Sequence, residues 1–159
     1  DGIASRGLGD VYKRQGYFIE VLGVRFKFIF GEYFYGETLG KKILNTPIIM
    51  GVNWLSLSLS TFGIAAYVFK PKLLIVVAAS ALMVLTDMLI EPLSASLDFW
   101  YWKNSVIPTQ NYIAWFLVSL IIHSIILKFD IKLNPVLCFA LLGSQILFFT
   151  IQFINYGII

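Results

Sequence analysis

The sequence predicts an all-α fold: a polytopic membrane helical bundle of about four complete transmembrane helices, preceded by one truncated N-terminal helix. Three observations lead to this prediction. Of 159 residues, 58% are hydrophobic and only 13% are charged, whereas about 25% of residues are charged in ordinary soluble domains. The mean hydropathy is +0.82. The uncharged stretches are long, and short charged turns separate them. So little polar surface cannot cover a soluble globule, and a disordered chain has the opposite composition.

The first fifteen residues differ from the rest of the chain. Residues 1–15 are polar and Gly-rich, and one choice of codons for residues 10–15 reproduces a transposase end sequence used to prepare DNA sequencing libraries. We therefore interpret residues 1–15 as translated adapter, the alternative being a natural flexible tail. Residues 16–159 are then an N-terminally truncated membrane domain, and residues 16–24 are the expected end of an earlier span.

Four further spans follow. A helix needs about 20 mostly apolar residues to cross the roughly 30 Å hydrocarbon layer. The first is expected to begin near Thr46, with Pro47 in its first turn, and the third near Thr109, after Pro108. The predicted spans are 46–69, 73–90, 109–127 and 133–159. Short turns make neighbouring spans antiparallel. The Lys and Arg residues divide four against five between the two sides, so the sequence does not orient the bundle.

The composition also excludes several function classes. Cys138 is the one cysteine and His123 the one histidine. This excludes an internal disulfide, a thiolate metal cage and the multi-histidine iron sites of membrane oxidases and desaturases. A net charge of +3 gives no nucleic-acid footprint. We expect no metal, no cofactor and no nucleic-acid partner.

Two longer connections, residues 25–45 and 91–108, are expected on one side of the membrane. They hold or border nearly all the carboxylates and are rich in aromatic rings. Most of these rings fit an interfacial aromatic belt. The alternative is the aromatic mouth of a cavity for an apolar ligand.

Asp87 and Glu91 are the sharpest local feature. They are four residues apart, so on a helix they share one face. An ionised carboxylate inside an apolar run is costly, and two like charges at this spacing repel, so one of the two is expected to hold a proton and to be able to act as a general acid. The structural alternative is a pair that meets interfacial water or a distant base, Arg25 or Lys103.

Asn111 and Trp115 are also four apart, and Ser119 and His123 extend a similar face. The Asn111 amide is expected to hold a substrate, a water or a carboxylate. The alternative is a polar contact between helices.

The order of these residues resembles a carotenoid biosynthesis membrane family that includes the carotenoid 1,2-hydratases of bacterioruberin and related pathways. The resemblance covers nearly all of residues 16–150. It is carried by Asp87, Glu91 and Pro92, by Phe99, Trp100 and Trp102, by Pro108, Asn111, Tyr112 and Trp115, and by an earlier stretch with Glu20, Gly23, Gly31, Tyr33, Tyr35, Leu39, Gly40, Pro47 and Trp54. Two positions depart from the family pattern: Glu91, where many members carry Asp, and Arg25, where Thr is usual.

The resemblance implies cofactor-independent hydration of the terminal C1,2 double bond of an acyclic or monocyclic carotenoid. Such a reaction needs a protonated carboxyl, a site that stabilises a tertiary cation, and a positioned water. The candidate catalytic residues are Asp87 and Glu91, sharing one proton, and Asn111, orienting the water. The candidate substrate-binding residues are Glu20, Glu32, Tyr33, Tyr35, Trp54, Trp100, Trp102, Tyr112 and Trp115.

The partners that follow are a polyene substrate, the lipid bilayer and other carotenoid-pathway enzymes, and the expected location is the inner membrane of a prokaryotic cell. Two other function classes stay open: a non-catalytic carotenoid- or lipid-binding protein, and a proton-coupled transporter, because intramembrane carboxylates often mark proton relays.

Overall fold

A computed structural model describes Val21 and residues 29–156. Within this part the chain forms four long helices: α1 (Ile49–Val68), α2 (Lys72–Ile90), α3 (Thr109–Lys128) and α4 (Pro135–Asn155). Each is long and apolar enough to cross a membrane. The predicted all-α membrane bundle is confirmed. Residues 1–15, Glu20, Arg25 and all of the predicted earlier span except Val21 lie outside the described residues.

Two helices begin later than predicted. Thr46 and Pro47 form the short strand β3 (Thr46–Pro47), which pairs antiparallel with β2 (Lys42–Ile43), so α1 begins at Ile49. Leu44 and Asn45, both with positive φ, make the turn between these strands. A hairpin turn therefore replaces the predicted first helical turn. At the other end of the chain, the Asn134 side chain accepts hydrogen bonds from the amides of Val136 and Leu137 and caps α4 at Pro135.

The core lies where α2 packs between α1 and α3, and α4 lies mainly against α1. Trp54 of α1 stacks on Trp115 of α3, with ring centroids 4.1 Å apart and planes 19° from parallel. Leu57, Met83 and Ile126 belong to the same apolar core and are fully buried. The outward faces carry many exposed apolar side chains, as expected for helices that contact lipid.

Halfway along the bundle, His123 joins three helices. Its Nε2 lies 3.1 Å from Thr61 Oγ1 of α1, and its Nδ1 lies 2.9 Å from Ser80 Oγ of α2. All three side chains are fully buried. The one histidine therefore has the interhelical role common for polar residues in membrane spans.

The two long loops meet on one side of the bundle, as the antiparallel order of the spans predicts. β1 (Tyr33–Tyr35) pairs antiparallel with β4 (Trp100–Trp102), placing Tyr33 opposite Trp102 and Tyr35 opposite Trp100. This two-stranded ladder was not predicted. It covers the ends of α2 and α3 and brings the aromatic residues of both loops together.

Candidate active site

The two carboxylates predicted to share a helix face lie at the loop end of α2. α2 ends at Ile90 and continues directly into a 3-10 helix (Glu91–Leu93), since Pro92 has no N–H to continue the α-helical hydrogen bonds. Asp87 is 1% exposed and Glu91 is 3% exposed. The end of the helix thus holds both acids inside the protein.

Asn111, in the first turn of α3, joins the two acids. Its Nδ2 donates to Asp87 Oδ2 at 3.0 Å and to Glu91 Oε1 at 2.9 Å. Both hydrogens of one amide group are therefore used, one for each carboxyl group. Of the roles expected for Asn111, the structure supports the contact with a carboxylate. This contact is also a contact between helices.

The other oxygen of Glu91 accepts two indole N–H groups. Trp100 Nε1 lies 3.0 Å and Trp102 Nε1 lies 2.6 Å from Glu91 Oε2. The two indoles can reach the same oxygen because residues two apart on a strand point to the same face. The ladder of β1 and β4 therefore fixes the donors of this carboxylate.

A small cavity of about 20 Å³ lies beside the acids. A water molecule needs roughly 10–15 Å³ measured in this way, so the cavity has room for about one water. Its walls are the polar side chains of Asp87, Glu91 and Asn111 and the apolar or aromatic side chains of Phe30, Tyr33, Tyr35, Met50, Trp100, Trp102 and Trp115. It is the place where the predicted catalytic and aromatic residues meet.

The aromatic rings around the acids pack as a cluster. Tyr33 lies with its ring centroid 5.0 Å from that of Trp102 and 5.5 Å from that of Tyr35. Tyr35 and Trp100 are buried. The belt interpretation is wrong for these four rings, because the ladder turns them toward the carboxylates. Phe34, 62% exposed on the opposite face of β1, keeps a position typical of a belt.

One glycine allows the loop before β1 to close over the site. Gly31 has a φ of +115°, and a Cβ at this position would lie 2.7 Å from Pro108 Cγ and 3.3 Å from a ring carbon of Trp102. A side chain here would be strained and would push the ladder away. Gly31 therefore allows Phe30 and Tyr33 to line the cavity.

Three of the predicted substrate-binding residues lie away from the cavity. Glu32 pairs with Lys103 at 2.5 Å on the outer side of the ladder, so Lys103 is not the predicted partner of the acid pair. Trp54 lies behind Trp115, against which it stacks. Tyr112 is half-buried but does not line the cavity.

Two cavity residues were missed as candidates. Phe30 was one of many loop aromatics, with nothing to single it out, and Met50 lies in the first turn of α1, where no sequence pattern marks it. The position of Gly31 next to Phe30 is the one local signal, since glycines in aromatic loops often permit close packing.

Asp98 holds the two loops together outside the membrane-spanning helices. Its Oδ1 accepts the Tyr101 hydroxyl at 2.8 Å, and its Oδ2 accepts the amides of Glu37 and Thr38 at 2.9 and 3.1 Å. The Tyr101 hydrogen bond, followed by that from the Glu37 amide, holds the pKa of Asp98 below its ordinary value. These contacts fix the position of the strand that carries Trp100 and Trp102.

Comparison with known families gives a match over most of the chain. Residues 11–154 match the model of a family described as carotenoid biosynthesis protein. The chain belongs to the carotenoid biosynthesis protein family. Comparison with curated proteins and with solved structures gave no match.

The cavity of this carotenoid biosynthesis protein lies wholly inside the matched range, since its lining residues run from Phe30 to Trp115. Membership confirms the family resemblance, whose pattern includes the acid pair, Asn111 and the two tryptophans. It also implies a carotenoid substrate and a membrane lipid environment.

Proposed function

We propose that this carotenoid biosynthesis protein is a hydro-lyase that adds water to the terminal C1,2 double bond of an acyclic or monocyclic carotenoid. The observation that supports this proposal is the pair of buried acids, joined by one amide, beside a cavity of one-water size with aromatic walls. A reaction by protonation and water addition needs these parts and no redox cofactor.

The hydrogen bonds around Glu91 support different roles for the two acids. Both of its oxygens accept N–H donors, one from Asn111 and two from indoles. An indole N–H can only donate, so these contacts favour the ionised form of Glu91. Repulsion between two carboxylates bound to one amide favours a proton on the other. We therefore assign the reactive proton to Asp87.

In the proposed reaction, the Asp87 carboxyl transfers its proton to the alkene carbon that carries a hydrogen. The π bond breaks, and a tertiary cation forms at the neighbouring carbon. The Glu91 charge and the faces of nearby rings, Trp115 among them, stabilise this cation. Water then attacks the cation and releases a proton that restores the Asp87 acid. The sum is alkene plus water giving a tertiary alcohol, with no oxidation or reduction.

The same proposal assigns Tyr33, Tyr35 and Trp115 to the walls that contact the reacting end of the polyene. It locates the protein in the inner membrane of a prokaryotic cell, beside the enzymes that supply and consume a lipid-soluble pigment. The support for a membrane location is that the acids lie near the end of a helix long and apolar enough to cross a membrane, where a polyene dissolved in lipid can reach them.

The test is product analysis with matched variants of the full-length chain. The chain is expressed in cells that accumulate lycopene, and the pigments are separated and weighed by mass spectrometry. We expect a product heavier by one water. Its oxygen should come from labelled water.

Asp87→Asn should lower the rate about 10²- to 10⁴-fold, the usual contribution of a general acid. Asp130→Asn is the control, because Asp130 is exposed at the opposite end of the bundle. Bound but unaltered pigment would instead indicate a binding protein, and proton uptake into vesicles a transporter.

A further inference from the structure

A second, larger cavity opens beside the acids. It is a groove of about 370 Å³ between the first turns of α1 and the C-terminal half of α4. Its walls are mostly apolar, with Ile49 and Met50 from α1, Phe148 and Phe149 from α4, and Phe99 and Trp100 from the loop after α2. A cavity of this size and character suits a long apolar ligand.

The groove and the acid cavity share two walls. Met50 and Trp100 line both spaces. Trp100 is the residue whose indole N–H donates to Glu91, so the groove ends at a side chain that contacts the acid pair. Met50 is unbranched and flexible, and such a side chain adapts its shape to an occupant. A chain lying in the groove would therefore meet the acids at its end.

The groove also opens toward lipid. α4 is the least enclosed of the four helices: 22% of its apolar 18-residue stretch is buried inside the protein, against 56% for α1. Leu147 and Phe148 of α4 are exposed. A lipid-soluble molecule can therefore enter from the side.

One polar atom in this apolar groove points to a specific ligand. Gln145 Nε2 donates to Asn53 Oδ1 at 3.3 Å, and both residues line the groove. Gln145 Oε1 is buried and has no hydrogen-bond partner in the part of the chain that the structure describes. Buried acceptors are almost always satisfied. A hydroxyl group on a ligand would supply the missing donor.

We propose that this groove binds the long arm of the polyene while its terminal double bond lies at the acids, and that a hydroxyl group on that arm donates to Gln145 Oε1. The proposal rests on the proposed function, because the hydratase mechanism places the terminal double bond against the acids while the small cavity beside them holds the water. It adds where the rest of the molecule lies and which chemical group that part carries.

The test is a binding measurement in lipid nanodiscs, made in the Asp87→Asn background so that turnover does not intervene. The readout is the circular dichroism that a protein induces in the absorption of a bound polyene. The probes are lycopene and a monohydroxylated acyclic carotene of the same length. Ser144→Trp fills the groove, because Ser144 lines it and is exposed.

The matched control is Ser124→Trp. Ser124 is also an exposed serine, its hydroxyl also bonds to a carbonyl of its own helix, and it lies on α3 away from the groove. We expect Ser144→Trp to weaken binding of both probes at least tenfold and Ser124→Trp to leave it unchanged. Equal binding by the two variants, or no induced signal from the starting protein, would overturn the proposal that the groove binds the polyene arm. The groove would then be a space filled by membrane lipid.

Gln145→Leu tests the hydroxyl. It should weaken binding of the hydroxylated probe several-fold and leave lycopene binding unchanged. An equal effect on both probes would overturn the role of Gln145.

Turnover separates this proposal from the hydratase function. Normal product from Ser144→Trp would contradict the groove alone, and binding through the groove with no product from the unaltered chain would contradict hydration alone.

Discussion

Replacing Asn111 by leucine tests the amide that joins the two acids. Leucine is similar in size and well suited to a membrane helix, so the change removes two N–H donors and little packing. The lost contacts are those to Asp87 Oδ2 at 3.0 Å and to Glu91 Oε1 at 2.9 Å. Because both acceptor oxygens are buried, water does not replace the lost donor at either of them, and each lost hydrogen bond lowers the stability of the protein.

The expected loss follows from the charge on each acceptor. A hydrogen bond to a charged group contributes about 1.5–3 kcal/mol and one to a neutral group about 0.5–1.5 kcal/mol. With Glu91 ionised and Asp87 protonated, Asn111→Leu should lower the free energy of unfolding by about 2–4.5 kcal/mol. Hydrogen bonds between neutral groups in membrane helices average about 0.6 kcal/mol. The charge on Glu91 therefore determines whether the loss is large or small.

The assay is unfolding of the full-length chain in mixed micelles, followed by helical circular dichroism as dodecyl sulfate is added. Ser119→Ala is the control on the same helix, because Ser119 is fully buried and its hydroxyl donates to a weak acceptor, Met83 Sδ, at 3.2 Å. We expect Ser119→Ala to cost less than about 1 kcal/mol. If Asn111→Leu destabilises the protein no more than Ser119→Ala, the assignment of an ionised Glu91 is refuted.

Three further predictions concern the ladder, the loops and the helix packing. Trp102→Phe keeps a ring but removes the N–H 2.6 Å from Glu91 Oε2, so product formation should fall about 10- to 100-fold; an unchanged rate in the pigment assay would count against Glu91 as the stabilising charge. The folded-state pKa of Asp98 lies below its ordinary value of 3.8, so its contribution to stability is present above that value and is lost as the pH falls through the lowered pKa. Unfolding measured between about pH 5 and pH 2 should show this loss, and Asp98→Asn should remove that part of the pH dependence. Gly63→Ala would place a methyl group against the Cys138 sulfur across the contact of α1 and α4 and should destabilise the protein by about 1–3 kcal/mol. Adding Cys138→Ala should restore part of this stability, and additive losses in the double variant would contradict a direct clash.

The four spans were predictable because a membrane imposes a simple rule, that a spanning helix is long and uncharged. The second and third spans match α2 and α3 within one or two residues. The first was placed too early because Pro47 suits a helical first turn and a hairpin equally well. Only the turn at Leu44 and Asn45, with positive φ at both residues, decides between them, and no local pattern announced it.

The candidate site was predictable in its acids and less so in its surroundings. The spacing of Asp87 and Glu91 gives a shared face, and the spacing of Asn111 and Trp115 singled out the amide. The family resemblance added the loop tryptophans. The donors of Glu91 depend on a ladder of two three-residue strands that are far apart in sequence, a length too short to show an alternating pattern. The pairing of the loops, more than any local preference, makes the difference between an aromatic belt and an aromatic cavity.

The contacts of Asp98 have a consequence for the order in which the protein assembles. They join positions up to 61 residues apart, with two whole helices between them. Contacts across such a separation form late, because the intervening chain must first be ordered. A nascent chain therefore inserts α1 and α2 with the acids unshielded. Glu91 gains its indole donors only after the second loop has left the ribosome, and it gains the Asn111 amide only after α3 has inserted. Until then, both acids lack the hydrogen-bond donors that they have in the finished bundle.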